Sequence, residues 1–353
     1  MKLADQDLAV RPIVVGSWPG PSFRWNPFIA HFCESLAEKG CLLVDVDDPR
    51  RLPRRIDILH VHWPEQIFWK GGGPTRLAYR TLSTLRALSR LKRQGVRIVW
   101  MVHNLDPHEL GGIRKRLWPL IKRRLARLAD GFVTLSPSTL PLVRAAIPEL
   151  ANKPGVAGWH PAYPPHSPLP PPAMCRNEMG LAEQAELYAF LGMVRPYKGV
   201  EELIAAFIAD PDPRRRLLIA GHCDAPAFAE RIHASAAADP RIDIRLDKLD
   251  DRQFAMLTAA ADIVVLPFRD YLHSGSMIHA LSHARPVLTP SAPFADALAR
   301  EVGREWVTTY SGPLTAEALA TAERPNGAPE LANLTFGALA SATHDLYLRL
   351  DRS

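Results

Sequence analysis

Cysteine is scarce in this sequence, and its distribution does not suggest cross-linking. The 353 residues include four cysteines, without a CxxC pair and without a histidine cluster at the spacing of metal ligands. A disulfide scaffold and a structural zinc site are therefore not expected, and the pattern is typical of a protein kept in a reducing compartment. We also expect no metal ion and no tightly bound cofactor.

Long apolar runs are lacking as well. The longest, such as VRIVWMV and DIVVLPF, have the length of buried strands and fall far short of the roughly 20 residues of a membrane span. Near the amino terminus, Asp5, Gln6 and Asp7 stand where a signal peptide needs an apolar core. The sequence thus predicts a soluble chain in the cytoplasm.

Acidic residues are underrepresented in the first half of the chain. Residues 1–165 carry 25 Lys and Arg against 13 Asp and Glu, and the excess is concentrated in 76–97 and 114–127. An ordinary solvated surface is one interpretation, and contact with an anionic membrane surface is another. Apolar residues beside the cations of 114–127 favour the membrane over nucleic acid. No nucleic-acid-binding motif accompanies the charge, so no nucleic-acid partner is expected.

Apolar runs of strand length alternate with amphipathic helical patterns in two successive series, which predicts an α/β protein with parallel sheets and right-handed crossovers. The runs lie near 12–18, 41–46, 57–62, 96–102 and 131–136 in the first series, and near 186–194, 216–221, 241–246, 262–268 and 286–289 in the second. Between the series, residues 152–173 contain eight prolines, which is typical of a hinge.

We therefore predict two Rossmann-like, doubly wound domains that face each other across a cleft. The predicted limits are 1–165 for the first domain and 176–330 for the second, with the hinge at about 152–175. The helical pattern of 331–353 is expected to pack back on the first domain. Because doubly wound sheets bind ligands at the carboxyl ends of their strands, functional residues are expected there.

Two segments of the second domain have the features of anion-binding sites. In RPYKG, Arg195 and Lys198 follow a predicted strand and precede a helix, and their charges suit phosphate oxygens. In SGSMIH, Ser274 can cap a helix whose first residues, Gly275 and Ser276, present N–H groups to an anion. A solvated turn and an ordinary capped helix are the alternatives. Together the segments favour a nucleotide diphosphate, although neither GxGxxG nor a P-loop is present.

Polar residues also follow two predicted strands of the first domain. The segments HVHWPEQ and MVHNLDPHE each continue a buried apolar run, so their side chains are expected at the cleft. They supply groups suited to general-base catalysis and to hydroxyl recognition, namely His60, His62, Trp63, Glu65, His103, Asn104, Asp106, His108 and Glu109. Structural histidines are the alternative. The spacing disfavours metal binding, and no GxSxG elbow indicates a hydrolase.

These motifs together resemble a known family. The stretch FLGMVRPYKGVEELIAAF is similar to the donor-binding strand, turn and helix of GT-B glycosyltransferases. More narrowly, HVHWPE, HNLDPHE, GMVRPYKGVE and HSGSMIHALSHARPVLTP resemble the xanthan-type GDP-mannose:glycolipid 4-β-D-mannosyltransferases, as do NPFIAHF and EVGREWVTTYSG. Common retaining GT-B enzymes have two glutamates, eight residues apart, around the loop and helix that precede a G-x-P-V segment, and this chain has Tyr271 and His279 at those positions. That departure favours an inverting enzyme.

The resemblance implies an inverting glycosyltransferase that passes mannose from GDP-mannose to a polyprenyl-diphosphate-linked oligosaccharide in a β-1,4 linkage. It places the reaction in exopolysaccharide assembly, with the protein held peripherally on the anionic inner face of the cell membrane. Two alternatives stay open. One is a GT-B enzyme that uses another UDP- or GDP-linked hexose, and the other is a catalytically silent protein that binds sugar nucleotides or glycolipids.

The resemblance also assigns roles to residues. The donor would be bound by Arg195, Lys198, Ser274, Gly275, Ser276 and His279. The acceptor would contact His62, Trp63 and Asn104. Glu65 is the favoured base, with His103, Asp106 and Glu109 as rivals.

Overall fold

The computed structural model describes residues 11–23, 26–52, 55–69, 71–107, 110–164 and 171–352. The chain divides into two compact units. The first unit comprises Met1–Trp159 together with Phe336–Ser353, and the second comprises His160–Thr335. The division therefore falls within the proline-rich segment, and the last helix belongs to the first unit.

Twelve strands are present in the described part of the chain. They are β1 Val14–Trp18, β2 Leu42–Asp45, β3 Ile58–Val61, β4 Arg97–Met101, β5 Gly131–Thr134, β6 Gly155–Ala157, β7 Glu186–Leu191, β8 Arg215–Ala220, β9 Ile242–Arg245, β10 Ile263–Val265, β11 Val287–Pro290 and β12 Val307–Tyr310. Each of the ten runs predicted as strands overlaps one of them.

Twelve α-helices connect or flank these strands in the same described residues. They are α1 Phe28–Glu38, α2 Pro74–Arg93, α3 Gly112–Leu128, α4 Thr139–Ala146, α5 Pro172–Glu178, α6 Val200–Ile208, α7 Pro226–Ala236, α8 Asp251–Ala260, α9 Gly275–Ser282, α10 Pro293–Val302, α11 Ala316–Ala320 and α12 Phe336–Asp351. Short 3₁₀ helices occur at Pro64–Phe68, Pro148–Leu150 and Pro196–Lys198. In that part of the chain, no helix has the length and apolar character that crossing a bilayer requires.

The first unit is built on one parallel sheet in the order β2-β1-β3-β4-β5-β6. All residues of β3 and β5 are buried, as expected for inner strands of a parallel sheet that is covered on both faces. The last helix, α12, packs against α1, β5 and β6. The winding direction reverses between β1 and β3, so the ligand-binding edge is expected at the carboxyl ends of these two strands.

The second unit is also built on one parallel sheet, in the order β12-β11-β10-β7-β8-β9. This is the strand order of dinucleotide-binding domains, and its reversal lies between β7 and β10. Helix starts are fixed locally: α8 begins with a capping box in which Asp250 accepts from Gln253 N at 2.7 Å while the Gln253 side chain accepts from Asp250 N at 3.0 Å.

Two strands were not predicted from the sequence. The first, β6, lies in the segment 152–175 that we predicted to be an irregular hinge, and α5 also begins there. With three residues, β6 is too short to show a periodicity, and it pairs with β5 through backbone hydrogen bonds. The second, β12, is a four-residue edge strand beside β11. The segment predicted as the hinge therefore contains the short strand β6 and the first residues of α5.

Candidate active site

In the second unit, β7 leads into a tight turn that ends in a glycine. Arg195 is extended, Pro196–Lys198 form one turn of 3₁₀ helix, and Gly199 has a left-handed backbone with φ 72°. A Cβ atom on Gly199 would lie 2.9 Å from the carbonyl oxygen of Pro267, which follows β10. Glycine is therefore needed both for the backbone angle and for the close approach. The turn holds the RPYKG segment against the neighbouring strand's carboxyl end.

Lys198 is a half-buried cation of this turn. Its Nζ lies 5.7 Å from the centroid of the Phe268 ring. Partial burial and, to a smaller extent, the nearby charge of Arg195 together lower the pKa of Lys198 to about 8. Within the described residues, no carboxylate lies within ion-pair distance of its ammonium group. A desolvated ammonium of this kind is stabilised by an incoming anion.

Arg195 lies at the same strand end. Its side chain is 16% exposed, and Nη2 lies 3.5 Å from Oδ2 of Asp224, whose own side chain is 55% exposed. A guanidinium offers forked donors, and these suit the oxygens of a phosphate group.

The start of α9 lies beside this turn. Ser274 is buried and caps the helix, with its Oγ accepting from Met277 N at 3.3 Å. A Cβ atom on Gly192, just after β7, would lie 3.6 Å from Ser276 Oγ. The first N–H groups of a helix lack intrahelical acceptors and carry the positive end of its dipole. The structure thus brings the predicted residues Ser274, Gly275 and Ser276 to the edge that carries Arg195 and Lys198.

His279 and Tyr271, which occupy the two positions of the retaining glutamates, are in packing contacts. His279 Nε2 lies 3.2 Å from Thr258 Oγ1, so its ring is directed to α8. Tyr271 stands edge-on to Phe268 at 5.2 Å, and burial raises its pKa to about 12. The structure shows that His279 contacts α8, and its donor-binding role stays a prediction.

One histidine beside α9 was missed in the sequence. His160 is buried, and a Cβ atom on Gly275 would lie 3.4 Å from its Nε2. Its ring lies 5.5 Å from that of His273, and burial lowers its pKa to about 4. His160 lies in the proline-rich segment, where no strand end or helix pattern marked it as a site residue.

In the first unit, Glu65 lies in the 3₁₀ helix that follows β3. Pro64 begins that helix, and it turns the Glu65 side chain into the protein, where the residue is only 9% exposed. Burial raises the pKa of Glu65 to about 7. A carboxyl group with that pKa is half ionised at neutral pH, which is the property required of a general base.

Three histidines lie close together near the carboxyl ends of β3 and β4. His62 Nδ1 is 3.3 Å from His103 Nε2, and the His103 ring stacks on Trp63 with centroids 4.3 Å apart. His60 stacks on His62 at 4.6 Å and hydrogen-bonds to the hydroxyl of Tyr347 on α12. Burial lowers the pKa of His60 to about 3 and that of His62 well below its usual value. The imidazoles of His60 and His62 are therefore neutral at pH 7 and belong to the buried core.

The remaining residues predicted at this edge of the first sheet are Asn104, Asp106, His108 and Glu109. Asp106 accepts from Trp118 Nε1 at 2.9 Å and from Lys122 Nζ at 2.6 Å, so its carboxylate is engaged by α3. Asn104 is partly exposed next to His103. His108 and Glu109 lie outside the described residues. In the described part, no three His, Cys, Asp or Glu side chains are grouped so as to hold a metal ion.

The pKa of Glu65 gives a prediction about stability. Between pH 4.5 and 7 the folded state keeps a proton on Glu65 that the unfolded state has lost, so this residue makes the protein less stable as the pH rises. The loss approaches about 3 kcal/mol above pH 7. We expect Glu65→Gln to gain that amount relative to the wild type between pH 5 and pH 8, measured by urea unfolding of both proteins. The buried histidines are present in both proteins. A difference in unfolding free energy that does not change with pH would therefore contradict the raised pKa of Glu65.

Comparison with known proteins adds the following findings. Residues 3–149 match the model of a family described as the glycosyl transferase 4-like domain. A GDP-mannose:glycolipid 4-beta-D-mannosyltransferase from Xanthomonas campestris pv. campestris is 29% identical over 352 residues, covering 96% of this chain and 93% of the relative. A D-inositol 3-phosphate glycosyltransferase from Corynebacterium efficiens is 34% identical over 99 residues, which is 26% of this chain and 23% of the relative.

Solved structures agree in fold at low identity. A sucrose-phosphate synthase from Thermosynechococcus elongatus superposes with a TM-score of 0.67 at 16% identity, covering 96% of this chain and 99% of that one. WaaG, a glycosyltransferase involved in lipopolysaccharide biosynthesis, superposes with a TM-score of 0.58 at 15% identity, covering 96% and 93%. The predicted fold and the predicted resemblance are both confirmed.

Proposed function

We propose that this chain, which has the GT-B fold, is a glycosyltransferase and that it transfers mannose from GDP-mannose to a lipid-diphosphate-linked oligosaccharide. The proposed linkage is β-1,4 and the proposed product is an intermediate of exopolysaccharide assembly. The name of the Xanthomonas relative, which aligns along 96% of this chain, supports both the donor and the glycolipid acceptor.

One observation carries the proposal: two cations and a helix amino terminus meet at the reversal point of the second sheet. Arg195 and Lys198 follow β7, and α9 begins beside them. A nucleotide diphosphate has its negative charge spread over the phosphate oxygens, and forked, point-like and backbone donors at one place are complementary to it. This edge therefore forms the donor site, and the diphosphate lies against Lys198.

In the proposed reaction the acceptor hydroxyl attacks C1 of mannose as its proton passes to a base. The C1–O bond to the diphosphate breaks, and its electron pair leaves with GDP. Arg195 and Lys198 stabilise the charge that develops on the leaving diphosphate. Glu65 is the proposed base because its pKa of about 7 leaves it able to accept a proton at neutral pH.

Inversion at C1 is proposed because the residues at the retaining positions are not carboxylates. Tyr271 packs against Phe268, and His279 is hydrogen-bonded to α8. Neither side chain supplies the negative charge that a glutamate would place beside the sugar ring. A single displacement requires no such group.

For the acceptor we propose binding by the first unit while that unit rests on the inner face of an anionic membrane. Helices α2 and α3 contain no Asp or Glu. Both present large apolar side chains to solvent, including Tyr79 at 72% exposed and Leu120 at 66%. Each cation near an anionic surface contributes about 1 kcal/mol, and exposed apolar side chains add burial in the interface. Such a surface would hold the protein where a polyprenyl diphosphate is embedded.

This surface predicts binding to vesicles. We expect co-sedimentation with vesicles of phosphatidylcholine and phosphatidylglycerol that weakens as salt is raised, since screening shortens the reach of the cations. The double variant Tyr79→Ser with Leu120→Ser should bind roughly tenfold more weakly, because two apolar contacts are lost. Ile208→Ser, which removes an exposed apolar side chain of the second unit, is the matched control. Equal binding to pure phosphatidylcholine would contradict the proposed surface.

The proposed function is tested with a panel of sugar nucleotides and a polyprenyl-diphosphate-linked oligosaccharide. We expect GDP release from GDP-mannose above that from UDP- and GDP-linked hexoses, and a β-mannosyl product by NMR. Release from another donor would identify a different glycosyltransferase activity. Binding of GDP-mannose without turnover would instead indicate the catalytically silent protein.

A further inference from the structure

A cation-rich cavity lies in the first unit, away from the edge that carries Glu65. It has a volume of about 600 Å³ and is bounded by the β2–β3 connection and the carboxyl-terminal half of α2. Ile56 leads into β3 and Val96 leads into β4, so the cavity is beside the amino ends of these strands. Glu65 and His103 follow the carboxyl ends of the same strands. The cavity is thus separate from the candidate active site.

The charged side chains that line this cavity in the described residues are all cationic. Arg50, Arg51, Arg55 and Arg90 line the cavity, and no carboxylate of the described residues does. Only Arg50 is paired, with Asp48 at 2.5 Å, among the lining arginines in the described residues. Its floor is apolar and is formed by Leu52, Ile56, Leu91 and Val96. A low-dielectric floor beneath like charges strengthens the positive potential inside the cavity.

Local structure accounts for only part of this charge. Arg90 is in the last turn of α2, where the carbonyl end of the helix dipole favours a cation. Arg51 and Arg55 come from the β2–β3 connection, so neither lies at the carboxyl end of a helix, where a dipole would favour its charge. Arg51, Arg55 and Arg90 are exposed and line the same cavity, so an anion bound there would be attracted by three guanidinium groups from two elements. Forked guanidinium donors match the oxygens of a phosphate group.

We propose that this cavity binds a phosphate group, carried either by a small soluble molecule or by the head of an anionic lipid. Its volume is within the range of small-molecule sites. Arg51, Arg55 and Arg90 would donate to the phosphate oxygens, and the apolar floor would contact the remainder of the ligand. The site is independent of the donor site, and its occupant is not consumed in the proposed transfer.

Titration with pyrophosphate tests the soluble source. Isothermal titration is performed on the Arg195→Ala protein, so that the candidate donor site contributes little. We expect Arg51→Gln with Arg90→Gln, added to that protein, to weaken pyrophosphate binding at least tenfold. Arg300→Gln with Arg304→Gln, two exposed arginines of the second unit, removes the same charge and should leave binding unchanged. Equal weakening by both pairs would overturn the site, since it would show an effect of net charge alone.

Vesicles test the lipid source on the otherwise wild-type protein. With phosphatidylglycerol vesicles, we expect Arg51→Gln with Arg90→Gln to reduce binding. Arg51→Lys with Arg90→Lys keeps the charge but loses the forked donors, so it should reduce binding as well. Full binding by the lysine variant would indicate general attraction to the surface and would overturn a lipid headgroup site. If the glutamine variant changes neither pyrophosphate nor vesicle binding, the cavity does not bind phosphate.

Discussion

Replacing Glu65 by glutamine is expected to reduce turnover by about 10²–10⁴-fold, the usual contribution of a general base. Glutamine keeps the shape of the side chain but cannot accept the proton of the acceptor hydroxyl. GDP binds in the second unit according to our proposal, so its affinity should stay within a factor of two or so of the wild type. Steady-state rates with GDP-mannose and calorimetric titration with GDP measure the two quantities separately.

The pH profile distinguishes a base from a structural carboxyl. Turnover of the wild type should rise with pH and level off above about 7, since Glu65 must be ionised to act. The residual activity of Glu65→Gln should lack that rise. Asp106→Asn is the comparison variant: Asp106 accepts hydrogen bonds from Trp118 and Lys122, so we expect lower stability with the pH profile retained. Wild-type turnover in Glu65→Gln would remove this residue from the role.

Burial pattern explains why most of the fold could be predicted. Strands such as β7 and β10 are covered on both faces, so nearly every residue must be apolar and the run stands out from the helices around it. The edge strands β6 and β12 lie outside that rule. Residues of β6 are only half-buried and residues of β12 are partly so, and both are held by pairing with a neighbouring strand. Backbone pairing leaves no apolar signature.

The candidate site likewise has positions that could be predicted from the sequence and contacts that could not. Residues directly after a buried strand could be placed at a sheet edge, because parallel strands end together; Arg195, Lys198 and Glu65 are of this kind. Contacts made across elements could not be foreseen. The pairing of Asp106 with α3 and of His279 with α8 depends on how helices pack, which leaves no local trace. Their catalytic and donor-binding roles therefore stay predictions.

The affinity for GDP should depend on pH through Lys198. In the free protein its pKa is about 8, and a bound diphosphate raises that pKa because it compensates the charge. Below pH 8 the ammonium is already present and binding is insensitive to pH. Above pH 8 a proton must be taken up on binding, so affinity falls by up to about tenfold per pH unit. Calorimetry in buffers of different ionisation enthalpy would measure that proton uptake directly.

Variants of the two cations separate their contributions. Lys198→Ala should weaken GDP binding by roughly 10- to 100-fold, as expected for a hydrogen bond between charged groups, and should abolish the dependence on pH. Arg195→Ala should also weaken binding, but it removes a charge that lowers the pKa of Lys198, so the fall in affinity should move to higher pH. Lys198→Arg remains charged throughout and should bind equally at pH 7 and pH 9. If Lys198→Ala and Arg195→Ala both bind GDP as tightly as the wild type, the diphosphate does not lie at this turn.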